Sequence, residues 1–260
     1  MLAEIMAEQT KIQDRIAKQF KQGHVVLFVG PECCKSSGLP DNKQLLEKIQ
    51  QEFEKRDMLT KHDRNQIAAW FENVENYPRV AKLFKDKSSD FYHLAMVNVF
   101  DPHPDEKRLV PPTYFSFFNN LHLTQIITTN FDTLIERSLP TELWRSCTWK
   151  DPESLAYYFK ANRPLIFHLY GRIGYSGTLV HTLDEYKAFH GQEGDAARSI
   201  LQELFKLNTV LFIGYKLDDP VLSWIKELTH NKWNFKPEYY ISTTDNGLDK
   251  MVCRLALLKY

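Results

Sequence analysis

What the chain is short of narrows its class before any motif is read. It has no excess of charge: 33 Lys plus Arg balance 33 Asp plus Glu. A nucleic-acid-binding or anionic-membrane-binding footprint is therefore missing at the global level. It also has no apolar run long enough to span a bilayer. The amino-terminal stretch places Leu2, Ile5, Ile12, Ile16 and Phe20 at helical spacing among charged residues, which is neither a signal-peptide core nor a membrane span and reads as an amphipathic helix over 1–22. Cysteine is sparse. Cys33, Cys34, Cys147 and Cys253 make no C-x-x-C pair and no framework of a small secreted domain, so the expected setting is a reducing cytoplasm with free thiols. Internal repeats and low-complexity tracts are absent as well.

What is there is a regular alternation. At 260 residues the chain can bury a substantial core. Short apolar runs bounded by turn residues predict buried strands over 24–29, 124–128, 165–169, 210–213 and 239–242. Helical patterns lie between them over 42–55, behind a cap at Asp41, and over 132–138, 151–160 and 196–206. Such alternation predicts an α/β fold with a Rossmann-like, doubly wound parallel sheet and helices on both faces, whose ligands sit at the carboxyl ends of the strands. Residues 61–112 break the rhythm and read as a small helical insert, leaving 23–60 and 113–260 as the core. Trp70, Phe71 and Tyr77 in that insert suit either a buried stripe or an exposed docking face.

Four strand ends carry polar or glycine-bearing segments: "GPECCKSSGLP" from Gly30, "TTNFD" from Thr128, "HLYG" from His168 and "GYKLDDP" from Gly214. Each has an ordinary reading taken singly. Gly30 and Gly38 permit turns, Asn130 and Asp132 cap a helix, His168 is a core histidine, and "DDP" starts a helix. Their convergence on one rim is the informative feature. The first loop follows an apolar strand as a phosphate-binding loop does, yet Glu32 sets a carboxylate where phosphate favours bare backbone N–H groups.

In order and spacing these segments resemble the sirtuin-like fold. The loop from Gly30 to Pro40 is similar to G-A-G-x-S-x-x-S-G-[IL]-P, Thr128 to Asp132 to T-x-N-x-D, Leu169 to Gly171 to L-H-G, and Gly214 to Leu217 to G-[TY]-S-L. "LVHTLDEYKAF", from Leu179 to Phe189, resembles the L-V-L-T-x-x-D-Y-x-x-F stretch of the bacterial branch. Deacylases of the family carry a zinc held by two C-x-x-C pairs, which this chain lacks. The resemblance is therefore to the zinc-less branch, which cleaves NAD to nicotinamide and ADP-ribose, often in bacterial anti-phage systems. It implies that NAD is the substrate and that no metal takes part. Asn130 would place the attacking water and the ribose, Asp132 would steady the loop, and Gly30, Glu32, Cys34, Ser37, Gly38, Thr129, Gly214, Tyr215 and Lys216 would lie along the nucleotide.

Several positions depart from the pattern. Tyr170 takes the place of the family's histidine, and a phenol with an ordinary pKa near about 10 is a poor base at neutral pH. His168 precedes it by two residues on the same face of a strand, about 6.6 Å away. Glu32, Cys34 and Lys216 replace a glycine and two serines of the family pattern, and Glu32 with Lys216 is expected to form a pair that partly fills the nucleotide site. Two functions remain open. One is a defence-system domain with weak or lost NAD hydrolysis, working through homo-oligomers or a partner defence protein. The other is an active NAD glycohydrolase. Whether the chain stands alone or belongs to a longer protein is also open.

Overall fold

The computed structural model describes residues 14–101, 109–121, 123–215, 220–230 and 239–242. Six strands form one sheet: β1 (Val25–Val29), β2 (Gln125–Thr128), β3 (Arg145–Thr148), β4 (Leu165–His168), β5 (Thr209–Ile213) and β6 (Tyr239–Ser242), in the order β3-β4-β2-β1-β5-β6. All five strand pairings are parallel. In register, Leu27 of β1 lies between Ile126 of β2 and Leu211 of β5. Every residue of β1, β2, β4 and β5 is buried, as strands covered on both faces must be, which is why their sequences are nearly continuous apolar runs.

The two faces differ in the size of what they bury. Alternate residues Leu27, Ile126, Ile166 and Leu211 point to one core, while Phe28, Phe167 and Phe212 point to the other, following the period of two along a strand. Phe28 and Phe212 lie 4.9 Å apart between ring centroids, with Phe205 and Tyr215 beside them. Helices α1 (14–21) and α2 (Asn42–Lys55) serve the aliphatic face through Ile16, Phe20, Leu45, Leu46, Ile49 and Phe53. Helices α6 (Pro152–Lys160), α7 (Leu183–His190), α8 (Asp195–Leu207) and α9 (Pro220–His230) serve the aromatic face.

The helical starts follow the sequence closely. Asp41 caps α2 with a reciprocal box: its side chain accepts from Gln44 N at 2.9 Å, and the Gln44 side chain accepts from Asp41 N at 3.1 Å. Asp151 caps α6 and Thr182 caps α7. The helix expected over 132–138 does not form, and only a 3-10 turn, Glu136–Ser138, is present. Side chains there compete for the backbone: Thr128 Oγ1 accepts from Asn130 N at 3.0 Å and Asp132 Oδ1 from Leu134 N at 2.9 Å, holding an irregular loop in place of a helical ladder.

Residues 61–100 build α3 (Lys61–Phe71), α4 (Tyr77–Lys87) and α5 (Ser89–Phe100). α4 and α5 pack on α2, α3 packs on α4, and α4 also packs on α7. Val80, Phe84, Tyr92 and Met96 belong to the same continuous core as Leu27 and Ile126, so the lobe and the sheet share one interior. Tyr77 is buried, and Trp70 and Phe71 are partly buried against that core, with Phe71 edge-on to Tyr77 at 5.9 Å. These aromatics are packing residues. No described helix is long and apolar enough to cross a membrane. Lys216 and the segment after Ser242 lie outside the described residues.

Candidate functional site

The loop after β1 closes on its own backbone. Residues Pro31–Ser37 form a 3-10 helix ended by Gly38 at φ 85°. Gly30 N donates to Ile213 O at 2.8 Å, Glu32 N to Gly214 O at 3.1 Å and Cys33 N to Gly30 O at 3.2 Å, while Pro31 has no N–H to offer. The donors that would cradle a phosphate are thus spent on β5 and on the turn itself. A Cβ at Gly30 would lie 2.4 Å from Gly214 O and 2.6 Å from the Tyr215 ring, so glycine here serves close packing of two strand ends. Glu32 pairs with Lys35 at 2.8 Å. The expected Glu32–Lys216 pair falls on Lys216, outside the described residues. Ser37 is buried.

The loop after β2 meets the first loop from the other side. Asn130 is buried, and its Nδ2 donates to Gly30 O at 3.3 Å and to Cys34 Sγ at 3.2 Å. Its Oδ1 has no hydrogen-bond partner among the described residues. Asp132 also reaches Cys34. Burial raises the Asp132 carboxyl, against the opposing pull of the Leu134 N–H, the nearby His168 and the Cys34 thiol. Burial and then the Asp132 charge push the Cys34 thiol well above its usual range, so it acts as a neutral S–H and not as a nucleophile. Thr129 Oγ1 and Tyr215 OH lie 2.7 Å apart, tying this loop to the end of β5.

His168 sits behind the loop and is fully buried. Its Nδ1 faces Asn130 O at 3.1 Å and its Nε2 faces Glu136 Oε1 at 2.7 Å. Burial pushes the Glu136 carboxyl upward, but His168 and Ser146 outweigh it and hold the group at about 2, so one ring nitrogen of His168 faces a carboxylate and the other a backbone carbonyl. Arg172 completes the cluster at 3.1 Å from the same oxygen. His168 thus holds the backbone of Asn130 and does not line the cavity in front of it. Tyr170 does line it, with its ring edge-on to Tyr186 at 5.6 Å and Phe189 at 5.4 Å.

That cavity, of about 350 Å³, opens at the carboxyl ends of β1 and β2 beside the lobe. Pro31, Cys34, Asn130 and Asp132 form its floor with Tyr170, while Leu39, Asn42 and Val74 contribute from the side of the lobe. Of the residues the sequence singled out, Cys34, Thr129, Asn130, Asp132 and Tyr170 are brought together on it. Gly30, Tyr215 and His168 stand behind that wall as supports. Two side chains were missed by sequence reasoning. Glu136 had no signal beyond its place in a supposed helix. His181 lines the cavity and had one: it stands where the L-V-L-T pattern has its second leucine. Among the described residues, no group of three or more His, Cys, Asp or Glu side chains is placed to hold a metal ion.

The chain has recognisable relatives among known proteins. The profile of the SIR2-like domain matches residues 124–257. The chain is 27% identical over 209 residues to the NAD(+) hydrolase ThsA of Cytobacillus dafuensis, covering 80% of this chain and 38% of that protein. It is 23% identical over 244 residues to the NAD(+) hydrolase ThsA of Acinetobacter baumannii (strain 532279), covering 93% and 47%. The protein of the same name from Bacillus cereus (strain MSX-D12) is 24% identical over 210 residues, covering 80% and 40%. The chain spans less than half the length of these curated relatives. With the family profile running through β2, β4 and β5 and their loops around Asn130 and Asp132, the chain belongs to the SIR2-like domain family.

Proposed function

We propose that the chain is the NAD-binding domain of a bacterial defence protein, that it cleaves the nicotinamide-ribose bond slowly by itself, and that it depends on assembly with its own copies, a partner or a further domain for full activity. The observation that carries this reading is the pairing of Asn130 with Tyr170 in one cavity: the family's asparagine is present with an unpartnered Oδ1, and the family's histidine is not. Breaking the bond builds positive charge on the ribose carbon, which an acceptor oxygen such as Asn130 Oδ1 is suited to stabilise, directly or through the attacking water. Tyr170 supplies a hydroxyl donor where a base is wanted, and losing a general base costs about 10²- to 10⁴-fold in rate. The spent N–H groups of the first loop further weaken the hold on a diphosphate. The names of the curated relatives favour a second reading, a fully active NAD glycohydrolase.

Nicotinamide release from NAD separates the two readings. The expected outcome is slow turnover by the wild type, loss of the remainder in Asn130→Ala, and a gain of at least about tenfold in Tyr170→His, a fraction of what a restored base supplies. Rapid turnover by the isolated wild type would establish the second reading instead.

A further inference from the structure

His181 is placed to meet a ligand, and no role given above uses it. It lies in the cavity wall beside Phe131, the residue between Asn130 and Asp132, with the rings 5.6 Å apart at 67°. Its surroundings fix its chemistry. His181 Nε2 is 3.0 Å from Asn42 Oδ1, an atom that can only accept, so Nε2 carries the hydrogen. On the other side Nδ1 meets the Tyr92 hydroxyl. Burial lowers His181 to about 4 and pushes Tyr92 well above the usual phenol range. The ring is therefore neutral at physiological pH, with Tyr92 donating to a bare Nδ1. The backbone is fixed too: His181 N donates to Glu185 Oε2 at 3.0 Å, and Glu185 is anchored by Lys85 of α4 at 2.7 Å.

We propose that His181 is a ligand-contacting residue whose Nε2–H, held by Asn42 at the cavity edge, donates to an acceptor oxygen of the nicotinamide-ribose half of the substrate. The acceptor is a ribose hydroxyl or the carboxamide carbonyl, and Tyr92 fixes the tautomer that makes the donation possible. This inference rests on the NAD reading above. Asn42 is exposed, so exchanging its oxygen for that of a ligand releases it to water at little cost, whereas a buried donor left unpaired would be penalised. A neutral imidazole acting as a donor beside a reacting centre is established chemistry.

Binding of three probes tests the proposal: carba-NAD, whose carbocyclic linkage resists cleavage, nicotinamide riboside and nicotinamide. Calorimetric titration of the wild type, His181→Leu, His181→Gln and Tyr92→Phe would be read beside the ¹⁵N-edited resonance of the His181 ring. The expected result is about 10- to 100-fold weaker binding of carba-NAD and the riboside by His181→Leu. His181→Gln, which keeps a donor, stays within about fivefold of the wild type, and Tyr92→Phe falls between. The Nε2–H resonance of the wild type shifts on saturation. Loss of nicotinamide binding as well in His181→Leu identifies the carboxamide as the acceptor, and loss with the riboside alone identifies a ribose hydroxyl. Equal binding by a folded His181→Leu, or an unmoved Nε2–H resonance, overturns the proposal while leaving the NAD reading in place. Should His181→Leu not fold, the resonance and Tyr92→Phe decide. A wild type that binds none of the three overturns the NAD reading and this inference together.

Discussion

Glu136 and His168 show how one buried pair can hold a functional loop without touching its ligand. Glu136 is held at about 2 against an ordinary 4.5, because His168 and Ser146 favour its charged form more than burial disfavours it. A folded-state value below the unfolded one stabilises the protein above the unfolded value and loses that contribution as pH falls toward about 2. Such a shift corresponds to on the order of 3 kcal/mol at neutral pH. Urea denaturation at pH 6 is expected to find Glu136→Gln less stable by about that amount, since it removes the carboxylate that faces His168 and Arg172. Repeated at pH 3, the same comparison should show a clearly smaller gap, because Glu136 is then mostly protonated in the unfolded wild type and must lose that proton on folding to make the pair. A gap that does not change with pH would show that the carboxylate is not the source of the stability.

At the scale of elements, the ends of β1 and β5 meet in a joint with no room for a side chain at Gly30. Gly30→Ala would press a methyl group onto Gly214 O and the Tyr215 ring, and overpacking of this kind costs about 1–3 kcal/mol. Thermal melting should register the loss, and the Thr129–Tyr215 contact that ties the two loops should loosen, weakening ligand binding in the same variant. The strands were legible because both faces are buried, which writes them as apolar runs. β3 was not: its burial pattern runs from exposed Arg145 and Ser146 to buried Cys147 and Thr148, an edge strand with no run to read. The loop at 132–138 misled for another reason. "TLIERSL" has helical spacing, but the Thr128 and Asp132 side chains capture backbone N–H groups first. Asn130, Asp132 and Tyr170 were legible through the order of their motifs, whereas His168 has a strand position that says nothing of depth, and only the fold shows it behind the cavity wall.

The molecule as a whole is held by an interior that does not respect the boundary read from the sequence. The division at 61–112 follows composition, but Phe84, Tyr92 and Met96 of the lobe share a core with Leu27 and Ile126 of the sheet, and salt bridges from Lys82 to Asp184 and from Lys85 to Glu185 join α4 to α7. Replacing residues 61–100 with a short linker is therefore expected to abolish cooperative unfolding and to expose apolar surface to a hydrophobic dye. A sharp melting transition in the shortened protein would instead mark the lobe as a separable unit.

The central position of β1 also has a cost in time. Its partners are Gln125–Thr128 on one edge and Thr209–Ile213 on the other, so during synthesis "VVLFV" leaves the ribosome long before either neighbour exists. A short, uncharged segment of high β-propensity is a template for pairing with the wrong chain while it waits. Pro31 and Glu32 follow it after a single residue, Gly30, and a residue without an N–H next to a charge opposes the extension of such a stray ladder. The same two residues that unsuit the first loop for phosphate are thus of the types that interrupt an aggregation-prone strand.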